Sequence, residues 1–257
     1  MSMNPRLLRP RASGFNPRSI SGLFQWFDGS DRATLFDATT GGSAVADNGA
    51  VARWEDKSGN ARHLTQGTAG NRPTLRPAIR NGRSVLEYDG ANSSLVSASS
   101  TNDLSSLSIF AVFTQDTLGQ NSAAHLWATD TTSGNGQRRL FLESGPVLAA
   151  SFGSNVGRSP FLSSATSAFT RVHAFWNGGT NRATDFSFLE DGVSRASTST
   201  GTITVDPSPA GAIAVGNRPL ASRAWDGYIA EVLVYTRFLS VSERTRVDNW
   251  LKAKWGF

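Results

Sequence analysis

An all-β fold is predicted for this chain: two antiparallel sheets packed face to face as a jelly-roll sandwich, closed by one short C-terminal helix. Three observations predict it. Short apolar segments, alternating or apolar on both faces, recur between residues 22 and 235 and are separated by Gly, Asn, Asp and Ser turns. No helical period is found before residue 240. No unit of fixed length repeats, so the segments belong to one sandwich rather than an array, and 257 residues are enough to bury a large single core.

The elements follow in order. Residues 108–113 are apolar on both faces, as in a central strand. Residues 138–142 and 147–152 flank Glu143-Ser144-Gly145-Pro146, which predicts a hairpin. Residues 170–176 form the next strand and end at Asn177-Gly178-Gly179. Phe186 and Phe188 lead into Asp191-Gly192, a pair that favours the positive backbone angles of a tight connection. Residues 213–217 precede the last strand, residues 225–235, where Tyr228, Ala230, Val232 and Val234 are assigned to one face and Ile229, Leu233 and Tyr235 to the other. Ser240 stands three residues before Glu243, the spacing of a reciprocal helix cap. Val247, Trp250, Leu251 and Lys254 then fall on one helical face.

Five motifs in a fixed order carry a family resemblance: Gly22-Leu23-Phe24-Gln25-Trp26-Phe27-Asp28-Gly29-Ser30-Asp31, the turn Trp54-Glu55-Asp56-Lys57-Ser58-Gly59-Asn60, Arg72-Pro73-Thr74 with Asn81-Gly82, Tyr88-Asp89-Gly90, and the closing strand and helix. Together they resemble the concanavalin A-like lectin/glucanase superfamily, in particular the laminin-G-like domains of bacterial surface proteins and bacteriophage virions. The resemblance covers about residues 21–257 and implies the sandwich fold; a fold does not by itself fix a function.

Charge divides the chain in two. Of a net charge of +5, Arg6, Arg9, Arg11 and Arg18 supply +4 within residues 1–20, where there is no acid, so residues 21–257 are almost neutral. Pro5, Pro10 and Pro17 keep this leader from forming a continuous helix. Ordering some 20 extended residues costs on the order of 1 kcal/mol each, so an ordered leader must be gripped by something. The leader is therefore expected to be an extended anchoring arm. Without aromatic interleaving, its four arginines are a poor nucleic-acid surface. There is no cysteine for disulfides or thiolate metal sites, no apolar core of a signal peptide in the first 20 residues, and no apolar stretch long enough to span a bilayer. A soluble protein, not exported by the general route and not membrane-bound, is expected. The use of 22 arginines against 3 lysines extends over the whole chain and reads as base composition.

Catalysis is not expected. The resemblance implies an E-x-D-x-x-E strand in the glucanases, where two carboxyls about 5–5.5 Å apart perform retaining hydrolysis; here Glu231 is the only acid among residues 228–235. Its expected role is a paired or rim glutamate. His63, His125 and His173 lack metal-ligand spacing, and no G-x-S-x-G elbow occurs. No cofactor is expected. Calcium is the one metal weighed, because relatives use it to shape sugar-binding loops, and Asp28, Asp31, Asp47, Asp56, Asp89 and Asp226 are expected in turns. Turn capping is the competing use, above all for Asp56 and Asp89, and no ligand set is assigned. Trp26, Trp54, Trp176 and Trp225 are either core or sugar-stacking groups; Trp54 and Trp225, beside turns, are the candidate glycan-binding residues.

The expected function is that of a non-enzymatic bacteriophage virion structural protein, decorating the capsid or forming part of a tail or fibre. Its leader would dock on other virion proteins, it would be homo-oligomeric, and the sandwich would have glycan recognition as a second role. The alternative is a carbohydrate-binding module or adhesin at a bacterial cell surface.

Overall fold

A computed structural model describes residues 14–101, 103–117, 123–130, 137–143, 147–153, 156–160, 167–206, 210–218 and 223–257. Two antiparallel sheets face each other. One has eight strands, in the order β16 (Val193–Arg195), β15 (Phe186–Glu190), β14 (Thr170–Trp176), β9 (Leu107–Phe113), β18 (Asp226–Tyr235), β6 (Arg83–Asp89) and β5 (Thr74–Arg80), with β1 (Leu23–Asp28) also pairing to β18. The other has ten. Its order is β13 (Val156–Pro160), β12 (Val147–Phe152), β11 (Arg138–Glu143), β10 (Ala123–Asp130), β17 (Ala210–Val215), β7 (Leu95–Val96), β4 (Leu64–Thr65), β3 (Arg53–Trp54) and β2 (Leu35–Phe36), with β8 (Ser100–Thr101) on β17. The single α-helix of the described residues, α1 (Val241–Trp255), lies on the outer face of the eight-stranded sheet. The all-β sandwich and its closing helix agree with the sequence reading.

Between the sheets, Trp54, Trp127, Trp176 and Trp225 join Phe27, Phe113 and Phe152 in one buried cluster. Trp127 Nε1 donates there to Gln25 Oε1 at 3.0 Å, which satisfies the indole inside the core. A second cluster, Trp26, Phe110, Leu233 and Tyr235 against Val247, Leu251 and Trp255, lies between the eight-stranded sheet and α1. The eight-stranded sheet is thus buried on both faces, which explains why β9 and β14 are buried at every position.

Strict alternation fails in β18. Its register against β9 shifts between Ile229 and Glu231, so Ile229, Val232 and Val234 face the sandwich core while Tyr228, Ala230, Leu233 and Tyr235 face α1. A bulge adds one residue to one strand and so inverts every face assignment beyond it. Tyr228 and Ala230 therefore belong with Leu233 and Tyr235 rather than with Val232 and Val234. The turns behave as their residues dictate. Asp191 and Gly192 have φ of +50° and +86° between Glu190 and its partner Val193.

Helix α1 starts at the expected reciprocal cap, with Glu243 N donating to Ser240 Oγ and Ser240 N to Glu243 Oε2. Its buried stripe is Val247, Leu251 and Trp255, with Trp250 and Lys254 half-buried at the margin, a small rotation from the expected face. The β5–β6 hairpin holds its end. Arg80 donates to the carbonyls of Trp255 and Gly256 (both 2.8 Å), Arg83 Nε to Lys254 O (2.9 Å) and Asn81 Nδ2 to the same oxygen (3.0 Å). These satisfy carbonyls that a helix terminus leaves without partners. Arg80→Ala is expected to cost about 1 kcal/mol, read as faster amide exchange confined to the last turns of α1.

Candidate functional site

The polar centre of the helix-bearing face is built from four pieces of chain. Strand β1 places Trp26 and Asp28 two residues apart on the side facing α1. The β18 bulge turns Glu231 to the same side, and α1 contributes Trp250, Lys254 and Trp255. The turn after β3 contributes Lys57. That turn is fixed by Asp56, whose Oδ1 accepts from the amides of Trp26 (2.9 Å) and Ser58 (2.8 Å) and whose Oδ2 accepts from Ser58 Oγ and the Arg62 amide. Asn60 Nδ2 donates to the carbonyls of Leu23 and Phe24 and sews the turn to β1.

Glu231 is fully buried. Its Oε1 accepts from Trp26 Nε1 at 2.8 Å, and its Oε2 accepts from Trp255 Nε1 at 2.6 Å and lies 2.8 Å from Lys254 Nζ. Lys254 reaches Asp28 Oδ1 at 2.7 Å, and Lys57 bridges Asp28 Oδ2 and Asp31 Oδ2, each at 2.7 Å. The result is an alternating chain, Glu231, Lys254, Asp28, Lys57, Asp31, running from the core outward. Burial pushes the Glu231 carboxyl up to about 7, against the pull of Lys254. Asp28 moves the other way. Burial favours its neutral form, but Lys254 and Lys57 outweigh that and hold it at about 2.

Above this chain opens a cleft of about 530 Å³, lined in part by Phe15, Asn16, Trp26, Asp31, Lys57 and Trp250. Trp250 meets Trp26 and Phe15 edge to face at 5.7 and 6.1 Å, and Lys57 Nζ lies 4.3 Å from the Trp26 ring. Residues 15–20 pack beside this cleft. Asn16 Oδ1 accepts from the Arg18 amide and caps a single 3₁₀ turn, Pro17–Ser19. Tyr235 Oη donates to Pro17 O at 3.2 Å, Arg237 Nε to Ser21 O at 2.8 Å and Arg18 Nε to Lys57 O at 2.5 Å; Pro17 and Ile20 are buried. Every oxygen of Asp28 and Glu231 already has a donor. The cleft offers cations, indole edges and the half-exposed Asp31.

A family profile for the concanavalin A-like lectin/glucanases superfamily matches residues 89–243. The chain belongs to that superfamily. No curated protein matches it. Among solved structures, the sialidase of Trypanosoma rangeli is similar over 91% of this chain and 33% of its own, with 16% identity and a TM-score of 0.55. This concanavalin A-like chain therefore spans about a third of that protein. Domain 4 of AbnA, a GH43 extracellular arabinanase from Geobacillus stearothermophilus solved in complex with arabinotriose, is similar over 88% of this chain and 98% of its own, with 15% identity and a TM-score of 0.57. An arabinofuranosidase complexed with arabinofuranosyl-alpha-1,2-xylobiose matches 91% of this chain and 59% of its own, at 18% identity and a TM-score of 0.59. At these identities the likeness is one of fold.

Within this concanavalin A-like sandwich, the two candidate glycan-binding tryptophans are corrected. Trp54 is fully buried against Phe27 at 5.5 Å, and Trp225 is fully buried with Nε1 donating to Thr114 O at 2.9 Å. Each stands beside a turn in sequence, but its side chain points between the sheets. Of the four tryptophans weighed, Trp26 is the one at a cleft. The leader is also divided. Arg6, Arg9 and Arg11 lie outside the described residues, whereas residues 14–20, expected to belong to the arm, pack on the sandwich, and Arg18 bonds to its own domain. The packed body therefore includes residues 14–20.

Among the described residues no group of three or more His, Asp or Glu is arranged to hold a metal ion. Asp56 caps its turn as expected, and so does Asp89, whose Oδ1 accepts three successive amides. Asp47 pairs with Arg32, and Asp28 and Asp31 with Lys57. Asp28 ends β1 and caps the turn that follows, its Oδ1 accepting from the Ser30 amide, whereas Asp226 begins β18 and is not the turn residue expected. His63 accepts from the Asp56 amide, and His125 stacks on Phe141. Glu231 is paired, as expected, but at the centre of a buried cluster and not at a rim. Lys57, Trp250 and Lys254 are brought together only by the fold. Their only local signal is the i, i+4 spacing of Trp250 and Lys254, because Lys57 comes from the opposite end of the chain.

Proposed function

We propose that the protein is a non-enzymatic structural component of a bacteriophage virion, joined to neighbouring virion proteins through its basic leader and presenting the sandwich as a rigid body. One observation carries this reading. The chain that follows the leader is stapled to three elements at once, through Tyr235 and Arg237 at the end of β18, through Trp250 and Arg246 of α1 packing on Phe15, and through Lys57 of the β3 turn. A pull on the leader is thereby delivered to the central strand of the eight-stranded sheet. A body of net charge +2 beside a leader, residues 1–13, of charge +3 fits the same division of labour. Removing residues 1–13 should leave a domain with an unchanged far-UV spectrum and melting temperature that is missing from purified particles. Normal incorporation of the truncated chain would overturn the anchoring role.

A second reading, glycan recognition at the virion or cell surface, is favoured by domain 4 of AbnA, a similar fold solved in complex with arabinotriose. Its test is a glycan array probed with and without calcium. Absence of any signal in both conditions removes it.

A further inference from the structure

The β15–β16 hairpin and the first two turns of α1 enclose a second cleft, of about 510 Å³. Leu189 and Val241 line one part of it, and His173, Asp248 and Arg244 another. Asp248 is already occupied, since its Oδ1 accepts from Arg171 Nε and lies 3.1 Å from His173 Nε2. Asp191, on the hairpin, accepts the Arg171 amide. Arg244 is different. Its guanidinium carbon sits 4.6 Å from the Phe175 ring centre and 4.9 Å from that of Phe238. Among the described residues no carboxylate is within ion-pair distance of it, and its buried Nε has no hydrogen-bond partner.

A guanidinium stacked on aromatic rings is held in place while its edge, which carries the N–H groups, stays available for two parallel bonds to an anion. One other buried nitrogen of a residue lining this cleft lacks a hydrogen-bond partner: His173 Nδ1. Because Nε2 of His173 faces the Asp248 carboxylate, the ring proton belongs on Nε2 and Nδ1 is an acceptor. A ligand with both a carboxylate and hydroxyl groups would complement this set, whereas a simple anion would complement only the guanidinium. The amides of Ser240 and Glu243 are already bonded in the reciprocal cap and are not the anion contact. Around the rim, Val193, Phe238 and Val241 are 52%, 38% and 70% exposed, three of the four exposed large apolar side chains among the described residues.

We propose that this cleft binds an acidic sugar, a hexuronate unit of a surface polysaccharide, with Arg244 gripping the carboxylate and the ring lying along Leu189 and Val241. The proposal rests on the glycan-recognition reading for the source of the ligand and on the cleft for its acidity. The test is isothermal titration of the intact chain with glucuronate, glucose and acetate. Glucuronate should bind at least about tenfold more tightly than either of the others, and Arg244→Gln should remove about tenfold or more of that affinity. Arg244→Lys keeps the charge without the fork and should fall between. Arg32→Gln, which removes an exposed pair with Asp47, should bind as the parent does. Glucose or acetate binding as tightly as glucuronate, no glucuronate binding, or an Arg244→Gln variant of parental melting temperature and unchanged affinity would each overturn the proposal. An array positive only for neutral sugars would leave the recognition reading standing and remove this cleft from it.

Discussion

Glu231→Ala is expected to lower the stability of the fold by about 3–5 kcal/mol, because it leaves two buried indole N–H groups and one ammonium facing an empty space between sheet and helix. Thermal unfolding should shift down by about 10 °C or more for a chain of this length. A change of under about 1 kcal/mol would show that Lys254 and the indoles find other partners and that the cluster is not what holds α1. The same carboxyl gives a pH signature. Its pKa in the folded state is about 7, above that of the unfolded chain, so between about 4.5 and 7 the native state retains a proton that the unfolded state has lost. Stability should therefore fall as pH rises through that window, by at most about 1.4 kcal/mol per pH unit. Asp28 has the opposite sign. Held at about 2, it stabilises above its ordinary value and that contribution is lost as pH falls toward 2. Glu231→Gln should flatten the upper slope and leave the acid limb in place, which a series of denaturant titrations between pH 3 and 8 would show.

Gly216→Ala should be as damaging for a different reason. Gly216 follows β17 with φ of +84°, where a side chain is strained, and an added Cβ would lie 1.9 Å from the ring of Tyr88, which is itself buried. The Tyr88 ring cannot move aside without displacing the core. Backbone strain and overpacking together are expected to cost about 3–5 kcal/mol, read as loss of soluble protein or a melting temperature lower by about 10 °C. A soluble variant with parental melting temperature would mean that Tyr88 has a second rotamer open to it. Gly216 also ties the sheets to the next turn, accepting from the Trp225 amide at 2.7 Å and donating to Leu126 O at 3.0 Å.

Local chemistry was legible wherever one short stretch carries both the cause and the effect. Ser240 and Glu243 cap α1 because both partners lie within one turn. Asp191-Gly192 makes its connection because those two residues tolerate positive φ. Asp56 and Asp89 hold the amides that follow them in their own turns. Solvent exposure was not legible in the same way. Trp54 and Trp26 are both strand tryptophans, yet one lies between the sheets and the other beside a cleft, because facing is decided by which sheet a strand joins and on which side α1 settles.

Composition, alternation and turn residues thus determine by themselves a two-sheet β-sandwich with a capped final helix, since each of those signals acts over a few residues. Only the tertiary structure decides where the polar chain from Glu231 to Asp31 lies, which tryptophans are buried and how the leader joins the body. Trp26 and Glu231 are 205 residues apart in sequence, and a bulge of one residue sets the face that Glu231 takes. Contacts made across such separations depend on how the sheets close, and no local preference encodes that.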